Sequence, residues 1–304
     1  MDLFRNDIIG PELISEIKRL HFQTRRLATA GLSGQYRSAF RGQGMEFEEV
    51  REYRPGDDIR SIDWKVTARK WHPYVKSFRE ERELTVMLAV DVSASTRAGT
   101  KQQLRETLIA KVGAVLTLIA LRNNDNVGLI TFSDRLETYH PPRKARGAVW
   151  RILREVLGGS DATARSSGTD ISFACEFLYR ILRRRAIVFL ISDFIAPSFE
   201  KPLGALSRRH DVTAVMIQDP ADYDLPRAGL VMIRDPETGT QTLFDTNSEI
   251  SRRDYIARGK QQRDNLLELF RRHRVDTLPM STAEPFLPVL QRYFDRRSIR
   301  MSRG

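Results

Sequence analysis

Residues 84–95 read Leu84-Thr85-Val86-Met87-Leu88-Ala89-Val90-Asp91-Val92-Ser93-Ala94-Ser95. An apolar run of this length, with charge in front of it, predicts a strand buried on both faces of a parallel sheet. The run stops at three short oxygen side chains at alternate positions, Asp91, Ser93 and Ser95. In open α/β sheets, ligands bind beyond the carboxyl ends of the strands. One carboxylate and two hydroxyls on one loop make half of a hard-oxygen site for a cation such as Mg²⁺. A helix N-terminus draws on the same residue types, because Ser and Asp cap helices. The stretch alone leaves both readings open.

Downstream the pattern alternates. Residues 102–121 predict a helix that is apolar over much of its surface, and 127–132 a second buried strand. Residues 135–139 fit an antiparallel neighbour after the Ser133-Asp134 turn. Helices follow over 148–157, 170–182 and 197–209, with strands at 187–191 and 212–217. Leu230–Ile233 and Thr242–Phe244 flank a turn at 235–239 and predict an inserted hairpin within 220–246. A long helix at 251–273, a short strand at 275–278 and a last helix at 284–294 complete the series. Strands alternating with helices imply right-handed crossovers and a doubly wound, mostly parallel α/β sheet.

The front of the chain has a different character. Gly10-Pro11 opens an amphipathic helix over 10–28 with a basic outer face. Gly31, Gly34, Gly42 and Gly44 predict a flexible loop. No Lys-Ser/Thr follows them, and the acidic 45–50 segment does not suit phosphate binding. Residues 73–79 alternate as a strand. The expected organisation is a small α+β module over 1–82, an α/β domain over 83–295, and a basic tail over 296–304.

The chain has 304 residues with a formal net charge of +11, 41% apolar and 29% charged, as in soluble globular proteins. Residues 246–304 hold 13 Lys+Arg against 7 Asp+Glu, so the basic excess lies near the end. Such an excess meets anionic partners or forms a solvated helix face. Cys175 is the only cysteine, which excludes an internal disulfide and fits a reducing cytoplasm. The first residues lack the pattern of a signal peptide, and no apolar run approaches the ~18 residues of a membrane span.

A cation needs ligands from several loops. Gly168-Thr169-Asp170 opens a predicted helix and offers a hydroxyl, and Ile191-Ser192-Asp193 ends an apolar strand and offers a carboxylate. Asp91, Ser93, Ser95, Thr169 and Asp193 together fit a divalent-cation site better than three unrelated helix caps. In this order on an α/β alternation they resemble the metal-ion-dependent adhesion site of von Willebrand factor A domains. The resemblance implies Mg²⁺, or Mn²⁺, held by the Ser and Thr hydroxyls with the two Asp acting directly or through water. It also implies an open position that an acidic residue of a partner fills.

The front narrows the resemblance. Gly42-x-Gly44-x-Glu46-Phe47, Arg51-x-Tyr53-x-Pro55-Gly56-Asp57-Asp58, Arg60-x-Ile62-Asp63-Trp64, Ala68-Arg69 and Val75-Lys76-x-Phe78 are similar to the signature of the bacterial domain-of-unknown-function family number fifty-eight. That family is typically linked to MoxR-type AAA+ ATPases, so the resemblance implies such a partner, or a client delivered to one.

The expected function is a cytoplasmic, non-enzymatic, chaperone-like interaction module. It would take an acidic partner residue on Mg²⁺ and work with the ATPase in protein assembly or maturation. One rival is a metal-dependent hydrolase using Asp91 or Asp193, but no His or third carboxylate in the motif serves as acid or base. Phosphatase chemistry of the Asp-x-Asp kind is disfavoured because Ser93 stands at the second carboxylate's place. The other rival is weak, non-specific nucleic-acid binding through the basic end, which lacks an accompanying aromatic platform. The five His residues show no zinc spacing.

Overall fold

The computed structural model describes residues 32–40, 45–80, 84–97, 103–144, 151–152, 155, 168–224, 227–234 and 240–303. The helices expected at 10–28 and over most of 148–157 lie outside them. The chain divides into two compact units, residues 41–84 and the remainder.

In the larger unit, six strands form one sheet in the order β10-β7-β6-β3-β4-β5. They are β3 (Thr85–Asp91), β4 (Asn126–Phe132), β5 (Leu136–Arg143), β6 (Ile187–Ser192), β7 (Asp211–Gln218) and β10 (Asp276–Ser281). The pairs β3–β4, β3–β6, β6–β7 and β7–β10 are parallel and β5 runs antiparallel at the edge. This is the doubly wound, mostly parallel α/β arrangement expected from the alternation. Strand β5 runs to Arg143 through Pro141 and Pro142, further than the 135–139 expected. Two residues without a backbone N–H are tolerated there because the strand is at the edge. At Gly128 in β4 an added Cβ would lie 2.7 Å from Met87 Sδ and 2.9 Å from His140 O, so the strands close over it.

Helices cover the sheet: α3 (Arg105–Arg122), α4 (Ile171–Ile181), α5 (Glu200–Arg209), α6 (Glu249–Arg272) and α7 (Phe286–Arg303). The inserted hairpin is β8 (Leu230–Arg234) with β9 (Gln241–Asp245), antiparallel as expected. Helix α7 corrects the reading of 296–304 as a tail. It continues through Arg303 because Arg297, buried, bonds Asp211, Asp276 and Ala39 O, the last at 3.0 Å. The basic excess of 246–304 is likewise no free polycation. Arg252 pairs with Asp224, Arg272 with Glu268 and Arg300 with Asp276.

The glycine-rich segment also differs from expectation, and with it the module boundary at 82. Residues Leu32–Ala39 form a helix, α1, and belong to the larger unit. Tyr36, Ala39 and Phe40 sit one helical turn apart and are buried. The Phe40 ring lies 5.7 Å from Phe189 and 6.0 Å from Phe294, with the Arg297 guanidinium 4.3 Å above it. Tyr36 donates to Asp125 at 3.0 Å.

The smaller unit gives the sequence signature a structural meaning. Strands β1 (Met45–Glu52) and β2 (Tyr74–Glu80) form an antiparallel pair. Arg51 holds Asp57 through two bonds of 2.7 Å, drawing the Asp57 carboxyl down to about 2. Asp58 caps the 3₁₀ turn Ile59–Ser61, and Asp63 caps α2 (Trp64–Lys70). The Pro-Gly-Asp-Asp and Ile-Asp-Trp motifs are thus a turn closed by an ion pair and two helix starts.

Phe40 tests the placement of α1. Phe40→Ala should cost about 3–5 kcal/mol of stability, as for other buried aromatic truncations, measured by urea denaturation. A loss under about 1 kcal/mol would mean that α1 does not seal the core.

Candidate metal centre

The carboxyl end of β3 lies at the middle of the sheet, between β4 and β6. The chain leaves β3 towards β4 on one side and reaches β6 on the other, so this is the switch point at which doubly wound sheets bind ligands. Asp91 ends the strand with 0% exposure. Its Oδ1 accepts the Ser93 N–H at 2.9 Å, and its Oδ2 accepts the Ser192 hydroxyl at 2.6 Å. Ser93 and Ser95 are buried, with their hydroxyl oxygens 3.0 Å apart. A 3₁₀ turn over Ala94–Arg97 returns the chain, tied by Thr96 Oγ1 donating to Ser93 O at 2.8 Å.

Asp193 follows the last residue of β6, and its side chain is 2% exposed. The loop that aims it is strained. Phe194 has φ +60°, a left-handed conformation rare for a bulky residue. The surroundings impose it: the Phe194 N–H donates to Ser192 Oγ at 2.9 Å, and its ring lies 5.0 Å from Phe270. Ile195 N–H donates to Asp193 Oδ1 at 3.1 Å. Thr169 is buried in the loop before α4. Its neighbour Asp170 caps that helix, and the Asp170 N–H donates to Ser133 O at 2.8 Å just past β4. Val92 N–H donates to Phe132 O at 2.9 Å, so the ends of β3 and β4 are laced together.

The structure therefore joins Asp91, Ser93 and Ser95 directly and brings Asp193 within electrostatic reach of Asp91. It places Thr169 at the end of the adjoining strand. Burial first, and the negative charge of Asp193 second, push the Asp91 carboxyl up to about 7. The hydrogen bonds from Ser192 and Ser93 act in the opposite sense. Among the described residues no three His, Cys, Asp or Glu side chains converge on a metal position. A cation here relies on hydroxyls.

The donors fit one. Two ligands at right angles in an octahedral shell, each about 2.1 Å from Mg²⁺, lie about 3.0 Å apart, and Ser93 Oγ and Ser95 Oγ are 3.0 Å apart. Each carboxylate oxygen of Asp91 keeps a lone pair beyond the bond it already accepts.

Two contributors were not singled out from sequence. Ser192 binds Asp91 and also receives the Phe194 N–H. Arg105, at the start of α3, donates to Asp193 Oδ2 at 3.0 Å and also bonds Asp222. A cation in the first turn of a helix opposes the dipole, and that was the sequence signal for Arg105.

Over residues 49–265 the chain matches the family model described as "Protein of unknown function DUF58". The chain belongs to that family. An uncharacterized protein of Mycobacterium tuberculosis is 31% identical over 296 residues, 97% of this chain and 93% of the relative. An uncharacterized protein of Mycobacterium avium is 30% identical over 158 residues, 52% of this chain and 92% of its own. Among solved structures, BatB of Bacteroides thetaiotaomicron, a conserved hypothetical protein, is 17% identical with a TM-score of 0.46. The match covers 73% of this chain and 100% of BatB. The SpRpn10 VWA domain is 10% identical with a TM-score of 0.37, covering 68% and 93%. The DUF58 match spans both units, and the centre at β3 and β6 falls within it.

A carboxyl whose pKa in the folded state lies above its ordinary value of 3.8 holds an extra proton between the two values, so stability falls as pH rises through that window. Relative to Asp91→Asn, the metal-free protein should lose on the order of a few kcal/mol between about pH 4 and pH 7. Urea denaturation of both proteins across this range measures it. A difference independent of pH would show that Asp91 is not a proton-binding group in the metal-free site.

Proposed function

We propose that this DUF58 protein is a metal-dependent protein-interaction module. Mg²⁺ or Mn²⁺ is held by Ser93, Ser95 and Thr169 with Asp91 and Asp193, and an acidic residue of a partner completes the shell. The observation that carries this reading is the pair of buried hydroxyls 3.0 Å apart beside a buried carboxyl that has no cationic partner among the described residues. Only two carboxylates offset the ion, and Asp193 already shares its charge with Arg105. An ion so held stays electrophilic and takes an outside carboxylate readily. Ile195, 55% exposed on the loop that carries Asp193, offers an apolar contact beside it.

The family resemblance makes a MoxR-type AAA+ ATPase, or a client delivered to one, the leading partner, with work in protein assembly or maturation in the cytoplasm. Among the described residues no helix is long and apolar enough to cross a membrane. A hydrolase using Asp91 or Asp193 is the weaker reading. Both Asp91 oxygens are engaged and fully buried, and Asp193 is held by Arg105 and Ile195. Nucleic-acid binding through the basic end is weaker still, because several of its arginines are spent on ion pairs within the fold.

Pull-down and calorimetry with the MoxR-type ATPase encoded in the same cell test the reading. The complex should form with Mg²⁺, dissociate with chelator, and weaken about tenfold or more in Thr169→Ala with the fold intact. A tight complex indifferent to both chelator and Thr169→Ala would place the interface elsewhere and leave the ion a structural role.

A further inference from the structure

Among the described residues one buried cation, Arg105, touches the candidate centre. Arg105 is 5% exposed. It sits at the positive end of α3, where the helix dipole disfavours it. Its desolvation there must be offset by the carboxylates it reaches, Asp193 Oδ2 at 3.0 Å and Asp222. Even so the guanidinium is incompletely satisfied, because its buried Nε has no hydrogen-bond partner among the described residues. A buried donor left unmet marks an arrangement that is not the best the side chain can make.

The two carboxylates are not equivalent. Asp222 ends the 3₁₀ turn Pro220–Asp222, and its second oxygen accepts the Asp219 N–H at 2.8 Å in a capping box. That turn is clamped to α6. Tyr255 donates to Ala221 O at 2.7 Å, and a Cβ added at Gly259 would lie 2.5 Å from Asp222 O. Asp193, by contrast, is one of the five groups assigned to the ion. A divalent cation draws on the same carboxylate that Arg105 occupies and repels the guanidinium.

We propose that Arg105 is a built-in competitor for the cation, holding Asp193 in the metal-free protein and shifting onto Asp222 when the ion takes Asp193. This rests on the cation reading above and names its regulation. The guanidinium sets the affinity of the centre by charge. It also carries the loading of the centre to the 220–222 turn, whose Pro220 lines, with Asp219 and Tyr223, a cleft of about 640 Å³ beside Arg263 and Arg292.

Mn²⁺ binding followed by electron paramagnetic resonance at pH 8 tests this in the full chain. Arg105→Gln should bind Mn²⁺ about tenfold tighter or more, as removal of a unit charge from a part-buried site implies. Arg105→Lys, which keeps the charge, should stay near the wild type. Asp222→Asn, which leaves the guanidinium to Asp193 alone, should bind several-fold more weakly, and this variant keeps the test open where Arg105→Gln does not fold. Mn²⁺ should also alter hydrogen exchange of the Asp219 and Ala221 amides in the wild type and not in Arg105→Gln, which has no charge to pass to Asp222. Equal, measurable affinities in the wild type, Arg105→Gln and Asp222→Asn would overturn the proposal and leave the cation reading standing. Absence of Mn²⁺ binding in every variant would overturn the cation reading itself, and this proposal with it.

Discussion

Asp91 places a carboxyl at the end of a strand that is buried on both faces, and much of the larger unit is arranged around that fact. A lone ionised carboxylate in such a place is costly. Here a second, Asp193, ends the neighbouring strand and adds repulsion. The protein answers with hydrogen bonds from Ser93 and Ser192 on one carboxylate and with Arg105 on the other. Those contacts settle Asp193 and leave Asp91 with its carboxyl raised. On the proposed reading, a cation would complement this raised carboxyl and the two hydroxyls beside it without a third carboxylate.

The scaffold keeps this arrangement in place by backbone strain as well as by packing. Phe194 stands in a left-handed conformation because its ring is fixed against Phe199 and Phe270 and its N–H is fixed to Ser192. Asp193 therefore cannot drift away from Asp91 to relieve the repulsion without unpacking the core. Strain and like charge are held where an ion can use both. In the smaller unit the charged motifs do a different job. Asp57, Asp58 and Asp63 close turns and start helices, so their presence in the sequence signature follows from local folding without any ligand.

Strands β3, β4, β6 and β7 were legible in the sequence because they are buried on both faces and read as nearly unbroken apolar runs. The order of the oxygen side chains after two of them pointed to one place, and the structure brings Asp91, Ser93 and Ser95 together as the spacing suggested. Three features were hidden. Helix α1 starts in a glycine-rich stretch whose Tyr36–Phe40 stripe is apolar only in the light of the aromatic rings it meets, which come from β6 and α7. The 296–304 segment looks like a basic tail until Arg297 is seen between two acids far away in sequence. Arg105 shows in the sequence only as a cation in the first turn of a helix, because Asp193 and Asp222, which explain its burial, lie 88 and 117 positions away. Periodicity reports burial along one element, whereas the partners of a long-range charge pair are not named by it.

Anomalous diffraction from crystals grown with Mn²⁺ tests the central claim most directly. The account predicts a single strong peak at the carboxyl end of β3, about 2.1–2.3 Å from both the Ser93 and Ser95 hydroxyl oxygens, as octahedral coordination by hard oxygens requires. A peak elsewhere on the molecule, or none there with the two hydroxyls bonded only to each other, would contradict it.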